Sequence, residues 1–240
     1  MSKHADVSAR LGRRLACHQA LHDPGREPRN ALRWLPELRR WQAERLERSF
    51  RHFLDDPRRA PAARFFLGDV YGDRDFTRRD ADIARVLPMM QRLLPNALLG
   101  TVADAIELGA LSHALDLRMA GRLESLAPRR RKLDEDLYAS AYREAGLPRL
   151  RARQIGLIGS VGGGFGRALR LPGVAALLAF SRGPARMAGL TELQGFLERG
   201  YAAFDALGDA DAFVAEIEAG EREASRRLFA GAADPFGFDA

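Results

Sequence analysis

Residues 65–90, FFLGDVYGDRDFTRRDADIARVLPMM, hold the densest set of groups that could do chemistry. Asp69, Asp73, Asp75, Asp80 and Asp82 lie among Arg74, Arg78 and Arg79, and Tyr71 stands beside Gly72. Clustered carboxylates on a loop can hold a divalent cation or act as acid and base. The same groups can instead cap a helix start and take bidentate arginine bonds. The interleaved arginines favour the second reading, because they compete with a cation for the carboxylates. No acidic residue stands where an EF-hand has its last ligand, so the calcium-loop pattern is not met. Tyr71, Asp75, Arg79 and Asp80 are the expected binding residues of the 68–82 loop.

The histidines come next. His18 and His22 are four apart, so a helix puts both imidazoles on one face, with Cys17 and Asp23 beside them. They are the weak candidates for a metal. A third ligand is not evident, and Gln19 after His18 breaks the H-E-x-x-H pattern. An HD-type phosphohydrolase needs further histidines, which His4, His52 and His113 do not supply. Glu-x-x-His, the signature of a di-iron bundle, does not occur. His113 could ligate haem, or sit partly buried and paired with Asp116 at i+3. Packing is the preferred reading of all three, and no cofactor is expected. The single cysteine, Cys17, excludes an intrachain disulfide and a cysteine zinc site.

Residues 156–166, GLIGSVGGGFG, carry the loudest glycine signal. A phosphate-binding Walker loop needs Lys and Ser or Thr after its last glycine, and here Gly164 is followed by Phe165-Gly166-Arg167. A dinucleotide fingerprint needs an acidic group about 20 residues on, and residues 182–184 read Arg-Gly-Pro. The remaining reading is a small-residue seam between helices, with Gly156, Gly159 and Gly163 at near-helical spacing. Whether the segment is helix or loop stays open. Residues 155–180 are apolar but broken by Arg167, Arg170 and Pro172. They could lie on a membrane surface. A core hairpin is preferred, with Leu169, Leu171, Val174, Leu177, Leu178 and Phe180 facing neighbouring helices.

The elements that must position these groups read as helices almost throughout. Val7, Leu11, Leu15, His18 and Leu21 mark an amphipathic helix over 5–22. Pro36 opens a second, with Leu38, Trp41, Leu46, Ser49 and Phe53 inside and Arg39, Arg40, Glu44, Arg45, Glu47 and Arg48 on the wet face. A short helix carries Ala62 to Leu67. Thr77 starts another, with Ile83, Val86, Leu87, Met90 and Leu94 as its stripe and a kink at Pro88. A long helix runs from Asn96 to about Glu124. Others run from Asp134 to Ala145 and from Thr191 to Leu207, and the last follows Asp209. No hairpin, βαβ alternation or repeat is visible. The expectation is an all-α single-domain bundle over 1–232, with about eight to ten helices and a frayed tail over 233–240.

The 240 residues are long enough for a sizeable core, and 46% are hydrophobic. The net charge of +6 comes from 38 basic residues, of which only Lys3 and Lys132 are lysines. That arginine skew fits codon bias as well as a binding face. Residues 129–187 carry net +8 and residues 188–240 net −7, so much of the charge can be spent within the fold. The densest basic run, Arg129 to Lys132, is a weak nucleic-acid signal. Base-stacking aromatics are sparse there, so nucleic acid is disfavoured. The polar N-terminus has no secretory h-region, and no stretch of 18 apolar residues occurs. A cytoplasmic protein without a transmembrane segment is expected.

The 65–90 segment resembles a family of all-helical proteobacterial proteins of unknown function. The resemblance rests on a pattern like FFL-x-D-hydrophobic-Y-G followed by D-F-x-x-R-D-x-D. Here Phe65, Phe66, Leu67, Asp69, Val70, Tyr71, Gly72, Asp75, Phe76, Arg79, Asp80 and Asp82 meet it. Residues 183–221 look similar to the family's C-terminal region. The resemblance implies a helical fold and a cytoplasmic setting, and no activity. The expected role is a small-molecule- or protein-binding accessory protein, with a homodimer left open. One alternative is a metal- or haem-dependent helical enzyme or cofactor protein. Another is a basic peripheral binder of nucleic acid or anionic membrane through 129–186.

Overall fold

The computed structural model describes residues 3–70, 85–88, 91 and 96–238. In chain order its α-helices are α1 (Lys3–His22), α2 (Trp34–Ser49), α3 (Arg51–Asp55), α4 (Ala60–Phe65), α5 (Asn96–Leu126), α6 (Glu135–Ala145), α7 (Pro148–Leu169), α8 (Val174–Met187), α9 (Thr191–Asp205) and α10 (Ala210–Ala230). A 3-10 turn, Pro28–Ala31, precedes α2, and a π-helical turn, Phe66–Val70, follows α4. No strand occurs among the described residues. The chain is a single all-α domain.

Local chemistry sets the ends. The Asp134 carboxylate accepts from the Leu137 N–H at 3.0 Å, and Asp209 accepts from Ala212 at 2.9 Å, satisfying N-terminal donors of α6 and α10. Gly146 (φ 66°) ends α6 and Gly231 (φ 73°) ends α10, where a side chain would strain the backbone. Leu147 has φ 64° without being glycine. Pro148 fixes α7 at its first position directly afterwards.

The longest apolar run becomes the axis. α5 buries Leu99, Ala103, Ile106, Leu115, Leu117, Met119 and Leu123 along its length. It packs against α1, α2, α6 and α7. By length and composition α5 alone among the described helices could cross a membrane. Its apolar side chains are used in contacts with those neighbours. One core layer joins α2, α5 and α6 through Trp34, Leu38, Leu123 and Tyr138. A second joins α2, α3, α7 and α10 through Leu46, Phe53, Leu157 and Phe213.

The glycine-rich 156–166 segment, left open between helix and loop by its sequence, is helical, inside α7. Several sequence expectations need correction. The second helix breaks at Phe50, so Phe53 sits on α3. Arg45, assigned to the wet face of α2, is buried beside Glu221. The tail expected to fray docks instead: Phe236 packs on Trp41 and Tyr138, and the Phe238 N–H reaches the Asp234 carboxylate at 3.0 Å. Leu171, Leu177 and Phe180, expected in a core hairpin, are exposed. The acidic C-terminal segment does pair with the basic third segment, through Arg170–Asp211 and Arg182–Glu198. It pairs with the N-terminal segment as well, through Arg45–Glu221 and Arg59–Glu216. Of the helix expected from Thr77, only 85–88 and 91 lie among the described residues.

Candidate functional site

Where the 65–90 segment enters the structure, α4 does not end normally. It widens into the π-helical turn Phe66–Val70, a geometry that recurs at functional sites because it redirects side chains out of helical register. Phe65 goes inward, buried against Phe196 at 5.2 Å and edge-on to Phe204 at 6.3 Å. Gly200 on α9 makes room for it: a Cβ there would stand 2.8 Å from the Phe65 ring and 2.9 Å from that of Phe165. Phe66 packs on the other side, against the layer containing Phe53 and Phe213. Asp69 is clamped by Arg199 of α9, whose Nε and Nη2 donate to one carboxylate oxygen at 3.0 and 2.6 Å. So the turn is pinned from two sides by aromatic packing and one ion pair.

Beside the turn lies an open cleft of about 410 Å³. Leu67 and Gly68 form one wall, Arg64 and Leu54 a second, and Arg40, Ala43, Glu44 and Glu47 of α2 the third. Arg40 is held by Glu37 and approaches Glu44 at 3.8 Å. Arg64 and Glu47 are exposed, and neither forms an ion pair with another described residue. Among the described residues, the cleft thus offers one free guanidinium and one free carboxylate beside the apolar Ala43, Leu54 and Leu67.

A second polar constellation lies where α1 meets α5, with His18 and His113 buried and His22 exposed. His22 stacks on His113 with ring centroids 4.0 Å apart, and His18 meets His22 at 4.2 Å. The His22 and His113 rings stack with 21° between their planes, and the His18 and His22 rings are tilted at 41°. His18 is buried against Gly109, where a Cβ would stand 3.2 Å from the imidazole. Arg39 Nη2 donates to His113 Nδ1 at 2.7 Å, and His113 Nε2 faces the Leu21 carbonyl at 3.1 Å. A guanidinium can only donate and a carbonyl can only accept. The two bonds together require neutral His113 with its proton on Nε2. Burial, then the neighbouring His22 and Arg39, push its pKa down to about 3. Asp116, expected to pair with His113, instead accepts from Gln42 at 3.1 Å. Burial raises the Asp116 pKa despite nearby Arg151 and Arg39. Ser112 and Gln154 (2.8 Å) and Gln154 and Arg151 (3.0 Å) extend this network to α7.

The histidine geometry has a measurable consequence. A histidine near pKa 6.5 when unfolded and about 3 when folded takes up a proton on unfolding in that window. Its contribution is fully present above pH 6.5 and is lost as pH falls towards 3. The slope is about 1.4 kcal/mol per pH unit per proton. The Asp116 shift acts in the opposite sense, so the wild type alone is ambiguous. His113→Gln keeps an acceptor and a donor without the titration. Urea unfolding at pH 7 and pH 5 is expected to show the wild type losing about 2 kcal/mol more than this variant. Equal losses would remove His113 as the titrating group.

Of the residues picked from sequence, Tyr71, Asp75, Arg79 and Asp80 lie outside the described residues. His18 and His22 are brought together, with His113 added to the stack. Sequence reading missed Arg151, and it missed Arg199, Arg39 and Gln42, each on a different element from its partner. Arg64 and the α2 residues Arg40, Glu44 and Glu47 were visible only as ordinary helix-surface charges. Among the described residues, no group of three His, Cys, Asp or Glu side chains is arranged to hold a metal ion. No curated protein and no solved structure matches the chain. A family profile described as a domain of unknown function, DUF8198, matches residues 21–235, and the chain belongs to that family.

Proposed function

We propose that the chain is an accessory binding protein that takes a small zwitterionic molecule in the cleft beside the π-turn. The observation that carries this reading is the cleft. One cation, Arg64, and one anion, Glu47, neither paired with a described residue, share a cavity also lined by the apolar Ala43, Leu54 and Leu67. A ligand with a carboxylate and an amine on a short apolar body matches that set, because a guanidinium grips a carboxylate with two parallel bonds. The rigidly pinned π-turn supports the reading, since a pre-formed wall lowers the ordering cost of binding. The reading keeps the bacterial, cytoplasmic setting that the 65–90 resemblance implies.

A thermal-shift panel of amino acids and small amino-carboxylates, run beside amines and carboxylates that lack the second charge, tests it. A ligand at about 100 times its Kd stabilises the folded state by about 2.7 kcal/mol. In a chain of this length that raises Tm by roughly 5–10 °C. The shift is expected only with compounds carrying both charges, and Arg64→Gln and Glu47→Gln are each expected to abolish it. Both side chains are exposed, so the unliganded Tm should hold. No shift across the panel, or a shift that survives both substitutions, would remove the cleft as the site.

A further inference from the structure

α8 is apolar on two faces. Its inner face, Val174, Leu178, Ser181 and Ala185, turns towards α9, which is its packing neighbour. The helical repeat sets Ala176, Phe180, Gly183 and Met187 on the opposite side. Phe180 is 81% exposed and Met187 85%, and Leu177 beside them is 65% exposed. No described element covers this face. Its one charged flank is Arg182 and Arg186, and Arg167 and Arg170 stand just before the helix. All four are exposed. No Asp or Glu occurs between Glu144 and Glu192. Arg182 reaches Glu198 at 2.7 Å and Arg170 reaches Asp211 at 3.1 Å, both exposed pairs. Arg167 and Arg186 form no ion pair with a described residue.

We infer that α8 docks the protein on an anionic lipid surface, with Leu177, Phe180 and Met187 inserted and the arginines at the headgroups. Exposed Leu, Phe and Met beside arginines is the composition of a helix lying in a membrane interface. Fourteen residues rise only about 21 Å, too short to span a bilayer, so the helix lies flat. Arginine stems can bury against acyl chains while the guanidinium stays with the phosphates. Charge argues against a second copy as the occupant. Pairing α8 antiparallel with its own copy sets the Arg182–Arg186 flanks side by side, with no acidic group on the helix to offset them.

Flotation of the full chain with phosphatidylcholine–phosphatidylglycerol vesicles in equal parts, and with phosphatidylcholine alone, tests the inference. The protein is expected to float with the anionic vesicles and stay at the bottom with the neutral ones. Phe180→Ser with Met187→Ser should lower the partition by about tenfold or more, from the lost apolar burial. Arg182→Gln with Arg186→Gln should lower it and flatten its salt dependence. Both pairs are exposed, so an unchanged melt and circular dichroism spectrum establish that folding is intact. Failure to float with anionic vesicles, equal recovery on neutral ones, or full recovery of the serine variant would overturn the inference. So would a dimer in sedimentation velocity that the serine variant abolishes, because the face would then belong to a second copy.

Discussion

Glu221→Ala is expected to cost about 3–5 kcal/mol of stability, the range for stranding one member of a buried ion pair. Arg45 projects from α2 into the interior with 9% of its side chain exposed, and Glu221 of α10 meets it with 15% exposed. Nη1 and Nη2 donate to the two carboxylate oxygens, the second at 3.0 Å. The Phe236 ring lies over the guanidinium at 5.2 Å. Burial works against the Arg45 charge, and Glu221 more than offsets it, so its pKa is raised. Without Glu221 the guanidinium stays charged, because nothing in the physiological range deprotonates it, and no other described acidic side chain pairs with it. Chemical denaturation reads the loss directly. Arg45→Met combined with Glu221→Met should recover most of it, since packed apolar groups replace buried pairs at little cost. Arg45 Nε has no hydrogen-bond partner among the described residues, so the native pair itself carries a desolvation penalty that the double variant removes. A Glu221→Ala loss under 1 kcal/mol would mean that water reaches the guanidinium. The pair also sets the rotation of α2, whose opposite face carries Arg40, Glu44 and Glu47 into the cleft. The same substitution should therefore weaken any ligand held there.

Arg45 shows why some of the fold was not legible. Its neighbours along the chain are Glu44, Leu46 and Glu47, and a helix-surface assignment follows from them. The residue that makes burial tolerable is 176 positions away, and no local pattern points to it. The same holds for Asp69: its local neighbours offer Arg74, Arg78 and Arg79, but the described clamp is Arg199, 130 positions on. Helix ends were legible because their chemistry is local. Asp134, Asp209 and Gly146 each act within a few residues of themselves. The apolar stripe of α5 was legible for the same reason, since Ile106, Leu115, Met119 and Leu123 follow one periodicity. His113 lies between these cases. Its helix and its partial burial follow from spacing, yet its tautomer is set by Arg39 and Leu21, which arrive from two other elements. The exposed face of α8 misled sequence reading in the opposite direction. A short apolar helix looks like core, and only the absence of a covering element among the described residues shows otherwise.

The glycines of α7 give the second large expectation, and its sign changes within one residue. α7 is wedged between α5 and α10, and Gly162 faces α10 while Gly164 faces α5. At Gly162 a Cβ would stand 2.5 and 2.7 Å from the Val214 methyl carbons on α10. At Gly164 it would stand 2.6 Å from Thr101 Cγ2 on α5. Gly163, which helical spacing groups with the seam, meets only Arg167 Nη1 at 3.5 Å and Asp211 at 3.9 Å. Alanine is favoured over glycine in a helix by about 1 kcal/mol. At Gly163 nothing opposes that gain, so Gly163→Ala should stabilise by up to about 1 kcal/mol. At Gly162 and Gly164 the added methyl must displace a β-branched side chain or push the facing helix away. Overpacking of that kind costs about 1–3 kcal/mol, so alanine there should be neutral to destabilising. Leucine at either position should cost about 3 kcal/mol or more, because no rotamer escapes the facing helix. Urea midpoints of the three alanine variants decide the matter. If Gly163→Ala and Gly164→Ala move the midpoint the same way by similar amounts, close approach of α5 is not what the glycine serves. Opposite shifts would assign the run to helix packing, with small residues kept where Val214 and Thr101 press on the backbone.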